Sequence, residues 1–211
     1  VKDAVKGKTE YTAALAAGVI TSNAQNVNYS FLAGDPNNYN PWYNNYSVSN
    51  RNDYAISKTL TDYMDTQSDP RLPIYAEVLA GNLIKGLPYG RNVAVNIPAA
   101  YSRIGNYFRA AGAKMPLMNY AKIGYEAGGD AQAAIFYLDA IKASMEQYGV
   151  YTLAAYNAYI ALPGVLYVPA TGYSQIMSEK WVHMYLNSWE TWNDWRRTGF
   201  PVLTPAIDAI D

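Results

Sequence analysis

Two stretches in the second half of the chain repeat their apolar residues at helical spacing, and this constrains the fold more than any other feature. From Asp130 to Tyr148 the positions Ile135, Leu138, Ile141 and Met145 fall on one side of a helix. Asp130 is placed to cap its amino end and Gly149 to stop its carboxyl end. From Ser174 to Trp195 a second stripe runs through Met177, Trp181, Met184, Ser188, Trp192 and Trp195 and ends before Thr198-Gly199-Phe200-Pro201. A helix with one apolar face must bury it against something, so the two are expected to pack as a pair. Leu162 to Gly172 between them, broken by Pro163, Gly164, Pro169 and Gly172, reads as a loop.

The first half is less periodic. Tyr11, Ala14, Leu15, Ala17 and Val19 suggest a short helix within Val1 to Ile20, with Gly18 as terminator. A second helix is expected from Ser57 to Thr66, where Leu60, Tyr63 and Met64 share a side. Ser68-Asp69-Pro70 closes it, because the residue before proline is pushed out of the helical region. Between the two, Thr21 to Asn52 is rich in Asn, Tyr, Ser, Gly and Pro and reads as a long loop. Short alternating runs at Pro73 to Leu79 and Asn92 to Ile97 suggest one or two brief strands. No fixed-period repeat emerges.

At 211 residues the chain is long enough to bury roughly 70% of its unfolded surface. Sixteen Lys and Arg stand against 17 Asp and Glu, with no basic run, which argues against nucleic acid as a partner. No cysteine is present, so disulfides, thiolate metal sites and thiol nucleophiles are excluded. Nothing approaches the run of about 18 apolar residues that a membrane span needs. Tyrosine is the unusual feature, with 21 residues against four Phe, a balance that suits a wet or ligand-facing surface such as one that meets sugar faces.

The segment from Asn38 to Tyr46, continuing to Arg51, is the candidate binding element. Tyr39, Trp42, Tyr43 and Tyr46 supply rings for the apolar faces of a sugar, while Asn38, Asn40, Asn44, Asn45 and Arg51 supply hydrogen-bonding groups for its hydroxyls. The same composition also suits a packed loop whose Asn side chains satisfy its own backbone, with Trp42 as anchor. Catalytic readings are thinner. His183, the sole histidine, lies in the second apolar stripe and reads as structural. Asp62 and Asp65 share a helix face with Asp69 nearby, the only carboxylates suggestive of glycoside cleavage. Asp35-Pro36-Asn37 opens like a calcium loop but lacks its later Gly and Glu, and no metal site or cofactor is expected. Glu190, Trp192, Asp194, Arg196 and Arg197 read as a helix end with its ion pairs, and Trp181, Trp189, Trp192 and Trp195 as core or half-core.

The stretch Ile176 to Leu203, IMSEKWVHMYLNSWETWNDWRRTGFPVL, resembles the carboxy-terminal signature of the SusD/RagB family through Ile176, Glu179, Lys180, Trp181, Glu190, Trp192, Asp194, Arg196, Arg197, Thr198, Gly199 and Pro201. Asp69-Pro70-Arg71-Leu72 with Tyr75, Gly86-Leu87-Pro88-Tyr89-Gly90, and Met118-Asn119-Tyr120-Ala121 are similar to further blocks of the family. Together they span about Asn40 to Leu203. One departure is that Tyr120-Ala121-Lys122-Ile123-Gly124 runs directly into Tyr125-Glu126-Ala127-Gly128-Gly129, about two or three helical turns short of the family pattern. Residues are therefore expected to be absent between Ala121 and Lys122.

The resemblance implies a mainly α fold with tetratricopeptide-like helix pairs, long irregular loops and at most one or two short strands, residues 1–211 being part of one SusD-like domain whose amino-terminal part is absent. It implies a structural role for Asp69, Arg71, Lys180, Trp181, Glu190, Trp192, Arg196 and Arg197. It further implies a lipid-anchored nutrient-binding protein on the outer surface of the outer membrane, its anchor outside this sequence, passing an oligosaccharide or peptide to a SusC-like TonB-dependent transporter. Two other readings stay open: a helical glycan-cleaving enzyme using Asp62, Asp65 or Asp69, and a portion that makes only transporter contacts.

Overall fold

The computed structural model describes residues 4–90, 100–118 and 125–205. Helix α1, Ala4–Ala17, stops at Gly18, whose positive φ of 100° ends the helical path. It lies largely in solvent, with Val5 and Leu15 exposed. Strand β1, Val27–Ser30, pairs antiparallel with β2, Lys114–Met118, with Tyr29 opposite Met115 and an irregularity between Val27 and Asn28. These strands were not foreseen, because four residues carry too little alternation to stand out. The rest of the expected long loop is folded into short turns: Asn23–Gln25, Pro36–Asn38, and Pro41–Tyr43 running into a wide turn at Asn44–Val48.

Helix α2, Lys58–Thr66, begins where the Ser57 hydroxyl accepts from the Thr59 amide, and it buries Leu60, Thr61 and Met64. The strand expected at Pro73 to Leu79 is instead a single helical turn at Leu72–Tyr75, after which Ala76 and Leu79 make only isolated bridges. Proline sits without cost in that first turn, where its missing N–H has no partner to lose. Asn92 to Ile97 lies outside the described residues, as does the Ala121–Lys122 junction. Gly86, in one of the family-like blocks, permits a close approach: a methyl there would lie 2.5 Å from Lys58 Cα and 2.6 Å from Lys58 N. That contact lays Leu87 beside the start of α2, where the Lys58 amide donates to the Leu87 carbonyl.

Helix α3, Tyr125–Gln147, begins before Asp130, which therefore does not cap it, and ends at Gly149 as expected. Its buried face is Ala133, Tyr137, Ile141, Ser144, Met145 and Tyr148, whereas Ile135 points to solvent. Helix α4, Leu153–Ile160, starts at Thr152, whose hydroxyl accepts from the Ala155 amide. The second stripe is two helices, α5, Gly172–His183, and α6, Ser188–Thr198, broken where Leu186 adopts φ 66°. A left-handed leucine costs roughly 1–2 kcal/mol. At the break Tyr185 stacks on Tyr75 at 4.8 Å. As expected, α3 and α5 pack together.

Two apolar clusters form the core. One gathers Ile56, Leu60, Met64, Tyr75, Ile104, Phe108, Tyr148 and Val182, and the other Ala133, Tyr137, Ile141, Met145, Tyr159, Val165 and Ile176. Each fully buried aliphatic or methionine side chain contributes about 1.5–3 kcal/mol. Tyrosine is used here as a core residue more than the composition suggested. Tyr46, Tyr75, Tyr137, Tyr148 and Tyr159 are all buried. The hydroxyls of Tyr46, Tyr137 and Tyr148 donate to the carbonyls of Tyr54, Val165 and His183, which removes the cost of burying them.

Candidate functional site

Two of the family-like blocks, the one with Asp69 and Arg71 and the one with Glu179, meet at a buried polar knot. Arg71 is fully buried. Its Nε donates to Asp69 Oδ1 at 2.9 Å, and Nη2 donates to Asp69 Oδ2 at 2.6 Å and to Glu179 Oε2 at 2.7 Å; Nη1 reaches Ser144 Oγ at 2.9 Å. Tyr159 donates to Glu179 Oε1 at 2.7 Å. Burial opposes the guanidinium charge, but Asp69 and Glu179 outweigh it and hold its pKa well above the ordinary value. His183 Nδ1 lies 3.0 Å from the Ser144 hydroxyl, its Nε2 is buried without a hydrogen-bond partner, and burial with the nearby Arg71 and Lys180 charges lowers it to about 3. The imidazole is thus neutral and structural. With every Asp69 and Glu179 contact directed at the scaffold, this knot joins α3, α4 and α5 to the turn before Leu72–Tyr75 and offers no open position to a substrate.

The remaining signature residues fix α6. Lys180 pairs with Asp194 at 2.6 Å, and Arg197 reaches Asp194 at 3.0 Å and the Tyr173 hydroxyl at 3.1 Å. Although burial would raise the Asp194 carboxyl, the hydrogen bonds from Lys180 and Arg197 hold it below its ordinary value. Arg196 lies over the Trp192 ring at 6.0 Å, and Glu190 occupies the first turn of α6, where a negative charge suits the helix dipole. Gly199, with φ 74°, takes the left-handed position that ends the helix. Two of the tryptophans depart from the core or half-core reading. Trp181 and Trp195 are half-buried, but Trp189 is 80% exposed and Trp192 53%.

The Asn38 to Arg51 element is an aromatic shelf on a rigid base. Asn40 is buried and spent on the fold: its side chain accepts from the Trp42 and Tyr43 amides. Tyr46 is also buried, with Arg103 and Arg109 each 5.4 Å from its ring centre. Both guanidinium groups converge on Glu77, at 2.7 Å and 2.9 Å. Hydrogen bonds from Arg103 and then Arg109 outweigh its burial and hold its carboxyl near 2. On this base stand the half-buried rings of Tyr39 and Tyr43, edge to face at 5.0 Å, and of Trp42, edge to face with Tyr54 at 5.1 Å. Asn38 bonds Asp35, and Arg51 pairs with Asp53 at 2.6 Å on the surface. Neither Tyr54 nor the Glu77, Arg103 and Arg109 base was singled out from sequence. Tyr54 could have been, as an aromatic just beyond the loop; the base carries no local signal.

Asp62 and Asp65 line one cleft of about 370 Å³ together with Lys85 and Tyr101, and Asp62 pairs with Lys58. Asp69 is buried away from it in the Arg71 knot. Among the described residues no group of three or more His, Cys, Asp or Glu is placed to hold a metal, and no helix is long and apolar enough to cross a membrane.

The fold is that of the SusD-like helical proteins. A SusD homologue from Bacteroides thetaiotaomicron superposes with a TM-score of 0.78 at 21% identity, covering 97% of this chain and 49% of that one. A chitin-binding protein gives 0.75 at 26% identity over 96% and 49%, and a chitin-binding SusD homologue from Flavobacterium johnsoniae gives 0.70 at 23% over 91% and 45%. The chain thus spans about half the length of these structures. No curated protein sequence matches it. The family model described as "Starch-binding associating with outer membrane" matches residues 1–211, and the chain belongs to this SusD-like family.

Proposed function

We propose that this chain binds an oligosaccharide without cleaving it and serves a surface lipoprotein that passes the glycan to a SusC-like TonB-dependent transporter, the lipid anchor lying outside this sequence. The observation that carries the reading is the Tyr39, Trp42 and Tyr43 shelf. Its rings are partly open to solvent while the Asn40 cap and the buried Tyr46 hold the backbone beneath them. A pre-ordered aromatic surface loses little entropy when a sugar face stacks on it. Asn38 and Arg51 flank the shelf as hydroxyl partners, whereas Asn40 and Tyr46 support it from below. The chitin-binding relative at 26% identity makes β-1,4-linked N-acetylglucosamine oligomers the first ligand to try.

The cleaving alternative draws on the cleft that Asp62 and Asp65 share, but Asp62 is already paired with Lys58 and Asp69 is committed to Arg71. The test is calorimetric titration with the N-acetylglucosamine hexamer. Tyr39→Ala and Trp42→Ala, checked by circular dichroism to be folded, should each weaken binding about tenfold, the loss expected of an anchoring aromatic. Unchanged affinity in both would remove the shelf from the site.

A further inference from the structure

The exposure of Trp192 is at odds with the apolar stripe that contains it, and the face it shares with Trp195 is not a random scatter of rings. The Trp192 and Trp195 indoles lie 5.5 Å apart and only 26° from parallel, forming one side of a groove of about 530 Å³. Trp181 and Tyr89 continue the lining, and the segment from Leu203 to Pro205 closes it, with the Tyr89 hydroxyl donating to the Thr204 carbonyl. Ser188 and Thr191 add hydroxyls at the edge. Past Tyr89 and Trp181, a second recess of about 300 Å³ shares these two residues and reaches Lys58 and Asp62. The trough therefore runs from an aromatic end to a polar one.

We infer that this groove is a second glycan-binding subsite, separate from the Tyr39 shelf, that takes a neutral β-linked oligosaccharide with a pyranose face against Trp192 and Trp195. Three observations select this occupant. Among the described residues the lining of the aromatic end carries no carboxylate, and the Arg196 guanidinium is already engaged over the Trp192 ring at 6.0 Å, which favours an uncharged ligand. The stacked indole pair presents its remaining apolar surface to the groove, and the hydroxyls and the Lys58 and Asp62 pair sit where a neighbouring sugar would seek hydrogen bonds. The surface is also pre-ordered, since Lys180 and Arg197 clamp Asp194 on α6, and Trp181 is held edge to face by Tyr63 at 5.7 Å. The signature residues thereby acquire a use: they hold the two indoles in place. The ligand's class rests on the glycan-binding reading above; the location does not.

The five tryptophans make the test direct, because each indole N–H gives its own signal in a ¹H–¹⁵N spectrum and single Trp→Phe variants assign them. On titration of the whole chain with the N-acetylglucosamine hexamer, the Trp192 and Trp195 signals should shift saturably. Trp192→Ala should weaken the shift of the Trp195 signal about tenfold, Trp192→Phe much less, and Tyr39→Ala not at all. A shift confined to Trp42 would overturn the subsite and leave the shelf standing. No shift at any indole would overturn both. Trp192 and Trp195 signals that move with protein concentration, and not with the glycan, would make the face a protein interface and overturn the inference.

Discussion

Replacing Arg71 with Met tests whether the signature knot holds the fold together. Met fills much of the same channel but leaves Asp69 and Glu179 buried without their cation, where both side chains are at most 8% exposed. Loss of one partner of a buried ion pair costs about 3–5 kcal/mol, because the remaining charge is stranded, and here two carboxylates are stranded. Against a total stability of about 5–15 kcal/mol, the variant should sit near its threshold. With an m value of about 2 kcal/mol/M, the urea midpoint should fall by roughly 2 M, read by circular dichroism. A second substitution sharpens the test. Glu179→Gln should destabilise the native protein, which loses a charge-assisted bond to Arg71, yet stabilise Arg71→Met by removing one of the stranded charges. A midpoint shift of less than about 0.5 M for Arg71→Met, or a Glu179→Gln effect of the same sign in both backgrounds, would refute the reasoning.

Other outcomes follow from the same contacts. Gly86→Ala should lower stability by about 1–3 kcal/mol in the same urea assay, because beside the Thr61 hydroxyl the obstructing atoms belong to the Lys58 backbone, which has little room to move. Glu77 has a folded pKa near 2 against an ordinary 4.5, so its pairing stabilises the protein fully above about pH 4.5, and this contribution fades as pH falls through about 2. Glu77→Gln should therefore cost roughly 2 kcal/mol at pH 7, allowing for its partial exposure, and flatten the loss of stability in that acid window. An unchanged acid slope would detach Glu77 from it.

How much of this was legible in the chain depends on how local each cause is. Helix α2 was readable because Ser57 caps it, Leu60 and Met64 share a face and Pro70 follows its end. Gly149 was readable as the end of α3 for the same kind of reason. The division of α5 from α6 was not, because the stripe continues through Met184 and Ser188, and the partners of Tyr185 at the break, Tyr75 and Phe108, lie far back in sequence. Likewise β1 finds its partner more than eighty residues away, in runs too short to show alternation. In the candidate site, the rings of Tyr39, Trp42 and Tyr43 were visible as composition. That Tyr46 would be buried depended on Arg103 and Arg109, which Glu77 holds together and which no local pattern marks. Trp192 misled for a physical reason: helical spacing says which residues share a face, not whether anything covers that face.

The central claim is binding without cleavage, and one measurement addresses it most directly. The chain is titrated calorimetrically with the N-acetylglucosamine hexamer, and the sugar is recovered after prolonged incubation and weighed by mass spectrometry. The account predicts a saturable isotherm with the hexamer returned intact, and no change in the recovered sugar for Asp62→Asn or Asp65→Asn. Shorter oligomers that disappear in Asp65→Asn would contradict it and make the Asp62 and Asp65 cleft a catalytic one.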